Sequence, residues 1–159
     1  MKRGRITLVA IIAAVLLLPA ENGNGQSRAD APNDFTLELL GRCILYSLSY
    51  QRMVAEQFGV EVGGSLLASN EESFGFLSLG GRAYLSTSNA APCITGGVVF
   101  GSSSDDSGVF DGDASGAYYY IGPGFEYRSD GGFVLRGTVD FLIRDGFIVW
   151  PGLQMGIAF

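Results

Sequence analysis

The sequence predicts an all-β protein, a closed antiparallel up-and-down transmembrane β-barrel of eight strands. Large apolar residues alternate with small or polar ones over most of the chain after Phe35, the period of a strand with two different faces. The chain has 24 glycines and 12% aromatic residues but only 16% charged residues, whereas a soluble domain carries about 25%. After the first twenty residues no apolar run is long enough for a spanning helix, so a helical membrane protein is excluded.

The amino terminus has the form of an export signal. Lys2, Arg3 and Arg5 precede a short apolar run at 6–18. A basic start followed by an apolar core of this length is typical of a signal peptide, and the run is too short for a membrane anchor. We therefore expect residues 1–20 to be a cleaved signal.

The cleavage position stays open. Ala20 lies close to the apolar core, while Ala29-Asp30-Ala31 has the small-x-small form but lies far from it. Residues 21–34 are polar and turn-rich, which predicts a disordered leader. The barrel domain is then predicted at 35–159.

The strands are predicted from the alternation and from the turn signals between them. Their predicted ranges are 35–40, 43–53, 57–67, 73–86, 92–101, 117–128, 131–142 and 147–159. The first two are separated by a change of phase: apolar residues are odd-numbered at Phe35, Leu37 and Leu39 and even-numbered from Ile44 onward. This change predicts a bulge or a turn around residues 40–42. The even strand numbers of bacterial barrels favour eight strands over seven.

The later strands show the pattern most clearly. Their large apolar faces are formed by Phe58, Val60, Val62 and Leu66, by Tyr119, Ile121, Phe125 and Tyr127, by Phe133, Leu135, Val139 and Phe141, and by Phe147, Val149, Leu153, Met155, Ile157 and Phe159. The other face carries Gly, Ser, Thr and single charges, as a narrow barrel interior can hold. We therefore place the apolar face toward lipid, although a soluble barrel with that face inward is the alternative. Pro123 and Pro151 must each lie at a bulge or leave a neighbouring carbonyl unpaired.

The connections predict an orientation. The longest loop, 102–116, is expected outside the cell, while short turns at 54–56, 87–91 and 129–130 are expected in the periplasm. This loop carries four carboxylates that offer oxygen ligands to a cation: Asp105, Asp106, Asp111 and Asp113. They lack a full EF-hand pattern, so a solvated loop is favoured and no metal site is predicted.

The register of the hairpin between the sixth and seventh predicted strands predicts one interior ion pair. If Glu126 lies opposite Arg136, the hairpin is centred on Gly131, where glycine suits the left-handed position of a three-residue loop. Gly124 then faces Thr138. Further inward charges are Glu38, Glu61, Asp140, Arg42, Arg82 and Arg128, which we interpret as ion-paired rather than catalytic.

The two cysteines, Cys43 and Cys93, either join in a disulfide or lie apart as small apolar residues, and the second interpretation is favoured. With no histidine in the chain, they form no zinc pattern. A general-base histidine for a Ser-His-acid enzyme is also missing. We therefore predict no enzyme and no cofactor.

The net charge of −6 and the few scattered arginines argue against nucleic-acid binding. The leading hypothesis is a structural or surface-interaction protein of the outer membrane, which displays its loops at the cell surface and is surrounded by lipid. The alternatives are a lipid-modifying outer-membrane enzyme and a soluble exported barrel that binds a small apolar ligand. We expect a monomer without a wide pore, because side chains fill an eight-stranded interior.

Four segments of the chain, at 37–53, 58–67, 120–137 and 151–159, resemble a family of small outer-membrane barrel proteins of Bacteroidetes-type bacteria. The carrying motifs are YSLSYQR, a GFEYR…GGFVLRG hairpin and the closing PGLQMGIAF. Ser49 stands where the family has Asn, and Glu126-Tyr127-Arg128 replaces its Tyr-Arg-Tyr. The resemblance implies the fold and an outer-membrane location, and it implies no assigned reaction.

The carboxyl terminus also resembles the signal that the barrel-assembly machinery recognises. Phe159 ends the chain, with Ile157 and Met155 at alternating positions before it. A free strand of this kind can pair with the insertase by β-augmentation. We therefore expect that machinery as a partner during insertion.

Overall fold

The computed structural model describes residues 27–68, 73–103 and 116–159. Each strand pairs antiparallel with its neighbours in the sequence, and the last strand pairs with the first, so the sheet closes into a barrel. The strands are β1 Asn33–Leu40, β2 Tyr46–Ala55, β3 Phe58–Ala68, β4 Ser73–Tyr84, β5 Ala90–Ser103, β6 Gly116–Arg128, β7 Phe133–Ile143 and β8 Phe147–Ala158. The predicted eight-stranded up-and-down barrel is confirmed.

The two faces of the barrel wall have opposite chemistry. Outward side chains are mostly large and apolar, and many are strongly exposed, such as Leu66 at 79% and Phe147 at 71%. Inward positions hold polar and charged side chains: Arg42, Arg82, Arg128 and Arg136 are among the largest fully buried ones. This is the reverse of a soluble barrel, in which the apolar face points inward. Among the described residues, no helix is long and apolar enough to cross a membrane.

The change of phase after β1 is a turn between two strands. Residues Gly41–Cys43 form a short 3-10 turn that folds into the barrel and is buried. The predicted start of the second strand at 43 is therefore wrong, because β2 begins at Tyr46. Most other strand bounds differ from the predicted ones by at most two residues.

The amino-terminal part of the barrel is longer than predicted. β1 begins at Asn33, and Ser27–Asp30 form a short helix, α1, although residues 21–34 were expected to be a disordered leader. Arg28 and Asp34 are buried, since the polar residues of this barrel face its interior. The predicted signal peptide at 1–20 and the loop with Asp105, Asp106, Asp111 and Asp113 lie outside the described residues.

The hairpin between β6 and β7 has the predicted register but not the predicted left-handed glycine. Glu126 faces Arg136, and Gly124 faces Thr138. The Ser129 N–H donates to the Phe133 carbonyl over 2.8 Å, which closes a three-residue loop. The positive φ of +85° belongs to Gly132 rather than to Gly131. In such a loop the left-handed residue follows a type I turn and so comes last, not in the centre.

The two strand prolines cause no bulge. The β6–β7 register is identical on both sides of Pro123, while Gly122 and Pro123 themselves have no partner in that ladder. Pro151 lies opposite Val139, within an unshifted β7–β8 register. A proline has no N–H to donate, and the β6–β7 ladder is interrupted locally at Pro123 while the strand keeps its direction.

Candidate functional site

The barrel interior contains two ionic clusters, and the first lies near the end at which β1 begins and β8 ends. We name this the terminal-end cluster; its members are the buried residues Arg28, Asp34, Tyr84, Glu126, Arg128 and Arg136. They come from α1 and from β1, β4, β6 and β7, because inward positions of neighbouring strands meet inside a closed barrel.

Glu126 is the centre of the terminal-end cluster. The structure brings it into an ion pair with Arg136, its partner in the register. Its carboxylate also accepts a hydrogen bond from Arg28 Nε over 2.9 Å and lies 3.3 Å from Arg128 Nε. The Tyr84 hydroxyl donates to Glu126 Oε2 over 2.5 Å. The pair that the sequence suggests is therefore one contact of a larger network.

Asp34 is the second carboxylate of this cluster. Arg136 donates to both of its oxygens, over 2.9 Å from Nη1 and 2.5 Å from Nη2, which is a bidentate pair. Arg128 Nη2 adds a bond of 2.6 Å. The sequence pattern assigns Asp34 to the leader, because the partners of its carboxylate are about a hundred positions away in the chain and no local pattern reveals them.

The second cluster lies toward the opposite end of the barrel. We name it the loop-end cluster; its members are Glu38, Arg42, Ser47, Glu61 and Tyr120, all buried. Arg42 Nε donates to Glu38 over 3.1 Å, Arg42 Nη1 to the Tyr120 hydroxyl over 2.9 Å, and Arg42 Nη2 to Glu61. Ser47 Oγ donates to Glu38 over 2.7 Å. A single guanidinium thus binds two carboxylates and a phenol.

Arg42 reaches the interior because of the conformation of its turn. Leu40 has φ 60° and ψ −136°, and Ile44 has φ 75° and ψ −59°, both unusual for residues with side chains of this size. The Leu45 N–H donates to the Cys43 carbonyl over 2.9 Å, which closes a three-residue turn about Ile44. Such backbone strain costs about 1–3 kcal/mol per residue and persists only where surrounding contacts hold it. Here the ionic contacts of Arg42 hold it.

Three residues connect the two clusters across the middle of the barrel. Arg82 donates to Gln51 over 2.6 Å and to Gln154 over 3.3 Å, and it lies 3.1 Å from Glu61. Gln154 in turn donates to Glu38 over 2.9 Å. Charged and amide side chains from several strands are therefore hydrogen-bonded to one another across the interior. These side chains fill the barrel.

Asp140 is the inward carboxylate that departs from the predicted ion pairing. It accepts a hydrogen bond of 3.0 Å from Thr138 Oγ1, and its Oδ1 atom, although buried, has no hydrogen-bond partner in the described part of the chain. One carboxylate with a threonine beside it lacks the base and the oriented third group that nucleophilic catalysis requires. In the described ranges, no group of three or more His, Cys, Asp or Glu could hold a metal ion.

The two cysteines are both free and buried, so the disulfide that the sequence left open is not formed. They belong to separate apolar clusters: Cys43 packs in one with Tyr118 and Tyr120, and Cys93 packs in another with Met53 and Tyr84.

The predicted assembly residues lie on the outer face of β8 at the seam of the barrel. Met155, Ile157 and Phe159 are 38%, 63% and 59% exposed. The Phe159 carbonyl accepts from the Asn33 backbone N–H over 3.1 Å and from its side-chain amide over 3.3 Å. The end of β8 is therefore bound to the start of β1 where the sheet closes.

No family model matches the sequence, and a search of curated proteins finds no match. Among solved structures, the N-terminal β-barrel domain of Pseudomonas aeruginosa OprF is similar with a TM-score of 0.62, at 15% identity over 80% of this chain and 95% of that one. The Yersinia pestis outer membrane protein Ail in a phospholipid bilayer nanodisc is similar with a TM-score of 0.50, at 13% identity over 81% and 99% of the chains. At this identity the likeness shows the fold, and membership of the Bacteroidetes-type family stays a prediction.

Proposed function

We propose that this chain is an integral outer-membrane protein of structural or surface-interaction type, without a catalytic site. The observation that carries the proposal is the inverted wall, with apolar side chains outside and a charged network inside. Seven of the eight strands have 10 to 14 residues, which suffices to cross a bilayer that needs about 9–11 tilted residues per strand, and β1 has 8. Lipid is then the medium that covers the outer face.

The orientation follows from the loops. The connection between the end of β5 and the start of β6 is long in sequence, at 104–115, and those two strand ends lie opposite the terminal-end cluster, whereas the three strand connections on the side of that cluster are short. Outer-membrane barrels have short periplasmic turns and longer extracellular loops. The terminal end therefore faces the periplasm, and the acidic loop is displayed at the cell surface, where it favours partners that are not anionic.

The interior supports an anchoring role rather than transport. Arg82, Gln51 and Gln154 are bonded across the middle of the barrel, and an eight-stranded interior has room for little besides side chains. The barrel is thus a rigid monomeric base for its surface loops. Among the alternatives, a lipid-modifying enzyme has no supporting observation, and a soluble barrel would have to expose Leu66 and Phe147 to water.

The proposal also includes assembly by the insertase through β8. During insertion the unpaired β8 edge ending at Phe159 would pair with the machinery, and Asn33 would replace it when the barrel closes. The substitution Phe159→Ala keeps the backbone bonds to Asn33 that close the seam, so it should lower the amount of protein in the outer membrane with little change in the stability of protein refolded in detergent.

The test is fractionation followed by gel mobility. The protein expressed in a Gram-negative host should fractionate with outer membranes and resist salt washing. Unheated protein in mild detergent should migrate differently on a denaturing gel from boiled protein. Recovery of a folded monomer in detergent-free buffer would contradict the proposal and favour the soluble barrel.

A further inference from the structure

The chain just before β1 enters the terminal end of the barrel. Arg28 is only 3% exposed. Its Nε donates to Glu126 over 2.9 Å and its Nη1 to the Ser88 carbonyl over 2.6 Å, while its guanidinium lies 4.3 Å from the centre of the Tyr84 ring. A side chain held by a carboxylate, a carbonyl and a ring is an integral part of the interior.

The backbone that follows Arg28 is bound as well. The Ala31 carbonyl accepts from Arg128 Nη1 over 2.8 Å, and the Pro32 carbonyl accepts from the Met53 N–H over 2.7 Å. The same Arg128 pairs with Asp34, so the Ala31 carbonyl satisfies a donor of a buried guanidinium. We name residues 28–32 the plug.

Cleavage after Ala31, one of the two positions that the sequence left open, is incompatible with these contacts. It would remove Arg28 together with the Ala31 carbonyl that Arg128 binds, and it would leave a charged amine at the Pro32 nitrogen that had been bonded to that carbonyl. The new positive charge would repel that guanidinium inside a poorly hydrated interior. Cleavage before Arg28 leaves every contact of the plug in place.

We infer that export cleavage occurs on the amino-terminal side of Arg28 and that the mature protein keeps residues 28–32 as a plug in the periplasmic end of the barrel. This rests on the proposed function, because only an exported chain is processed. Three guanidiniums then share Glu126 and Asp34, and the Tyr84 ring and the Ser88 carbonyl compensate the additional cation.

The experiment is an intact mass and amino-terminal sequence of the full chain after expression in a Gram-negative host and isolation from the outer membrane. The first residue should lie at or before Arg28. The variant Ala31→Phe blocks cleavage after residue 31, since that position requires a small side chain, and it should give the same amino terminus as the wild type.

A second readout tests the burial of Arg28 directly. Trypsin cuts after exposed arginines, so the folded barrel in detergent should yield no chain that begins at Ala29, whereas the boiled protein should yield it. A mature chain that begins between residues 29 and 33, or native tryptic cleavage after Arg28, would overturn the inference. If either of these results is obtained with a protein that is still heat-modifiable, the proposed function stays intact. An uncleaved chain that begins at Met1 and is absent from the outer-membrane fraction would overturn both.

Discussion

Replacement of Glu126 by glutamine removes one charge from the centre of the terminal-end cluster while it keeps the volume of the side chain. In the wild type this carboxylate contacts Arg28, Arg128 and Arg136 and accepts from the Tyr84 hydroxyl. Removal of one partner from a buried ion pair typically costs 3–5 kcal/mol, because the remaining charge is left without compensation. With Glu126→Gln, three guanidiniums would share Asp34, so we expect a loss of about 3–5 kcal/mol in the free energy of unfolding.

The assay is urea unfolding of the refolded barrel in detergent micelles, followed by the fluorescence of Trp150, the one tryptophan of the chain. Glu56→Gln is the matched control, since Glu56 is exposed in the turn between β2 and β3; this variant should change stability by less than about 0.5 kcal/mol. A loss below about 1 kcal/mol for Glu126→Gln would refute the reasoning that Glu126 compensates buried cations.

The network also predicts the outcome of exchanging the charges of the central pair. For an isolated pair, Glu126→Arg with Arg136→Glu would recover part of the loss of each single change. Here the new arginine would lie beside Arg28 and Arg128, and the new glutamate beside Asp34. This repulsion is already present in each single variant and cancels when the double variant is compared with their sum. We therefore expect the double variant to be more stable than the single changes add up to but still less stable than the wild type, and strict additivity would show that the two side chains are not in direct contact.

Three further predictions concern the wall, the hairpin and the interior. Leu135→Arg places a cation against lipid, so it should cost about 2–4 kcal/mol in stability and lower the yield of heat-modifiable barrel. The control Arg144→Ala should fold as the wild type does. Equal yields for the two variants would contradict the outward position of Leu135. Gly132→Ala should destabilise the barrel by about 1 kcal/mol more than Gly131→Ala and so lower the urea midpoint further, because of these two glycines only Gly132 has a positive φ. Equal midpoints for the two variants would contradict this turn conformation. Purified protein in planar bilayers should give no stable conductance, and reproducible porin-sized steps would contradict a filled interior.

The features that the sequence predicts correctly are local. The period of two assigns the inward and outward faces of β6, β7 and β8, and the parity of a short hairpin places Glu126 opposite Arg136. Both follow from strand geometry within about ten residues. The position of Gly132 was missed because the register alone does not say which residue of a three-residue loop is left-handed.

The contacts that the sequence does not predict join distant positions. Asp34 binds Arg136, and Arg28 binds Glu126, across about a hundred residues of chain. Nothing in the polar stretch around Arg28 and Asp34 distinguishes it from a disordered leader until the closed barrel brings their partners near. The change of phase predicted a bulge or a turn around residues 40–42, and the structure shows the turn, but the positive φ angles of Leu40 and Ile44 could not be predicted from the local pattern.

Alternate side chains of the barrel wall face lipid and the barrel interior. Trp150 is an inward residue that donates to the Ile44 carbonyl over 3.3 Å, whereas Leu135 is an outward one. The measurement is fluorescence quenching by lipids brominated along the acyl chain, with the wild type compared to Leu135→Trp in a Trp150→Phe background. We expect strong quenching of the tryptophan at 135 and weak quenching of Trp150. Equal quenching at both positions, or stronger quenching of Trp150, would contradict the inverted barrel wall.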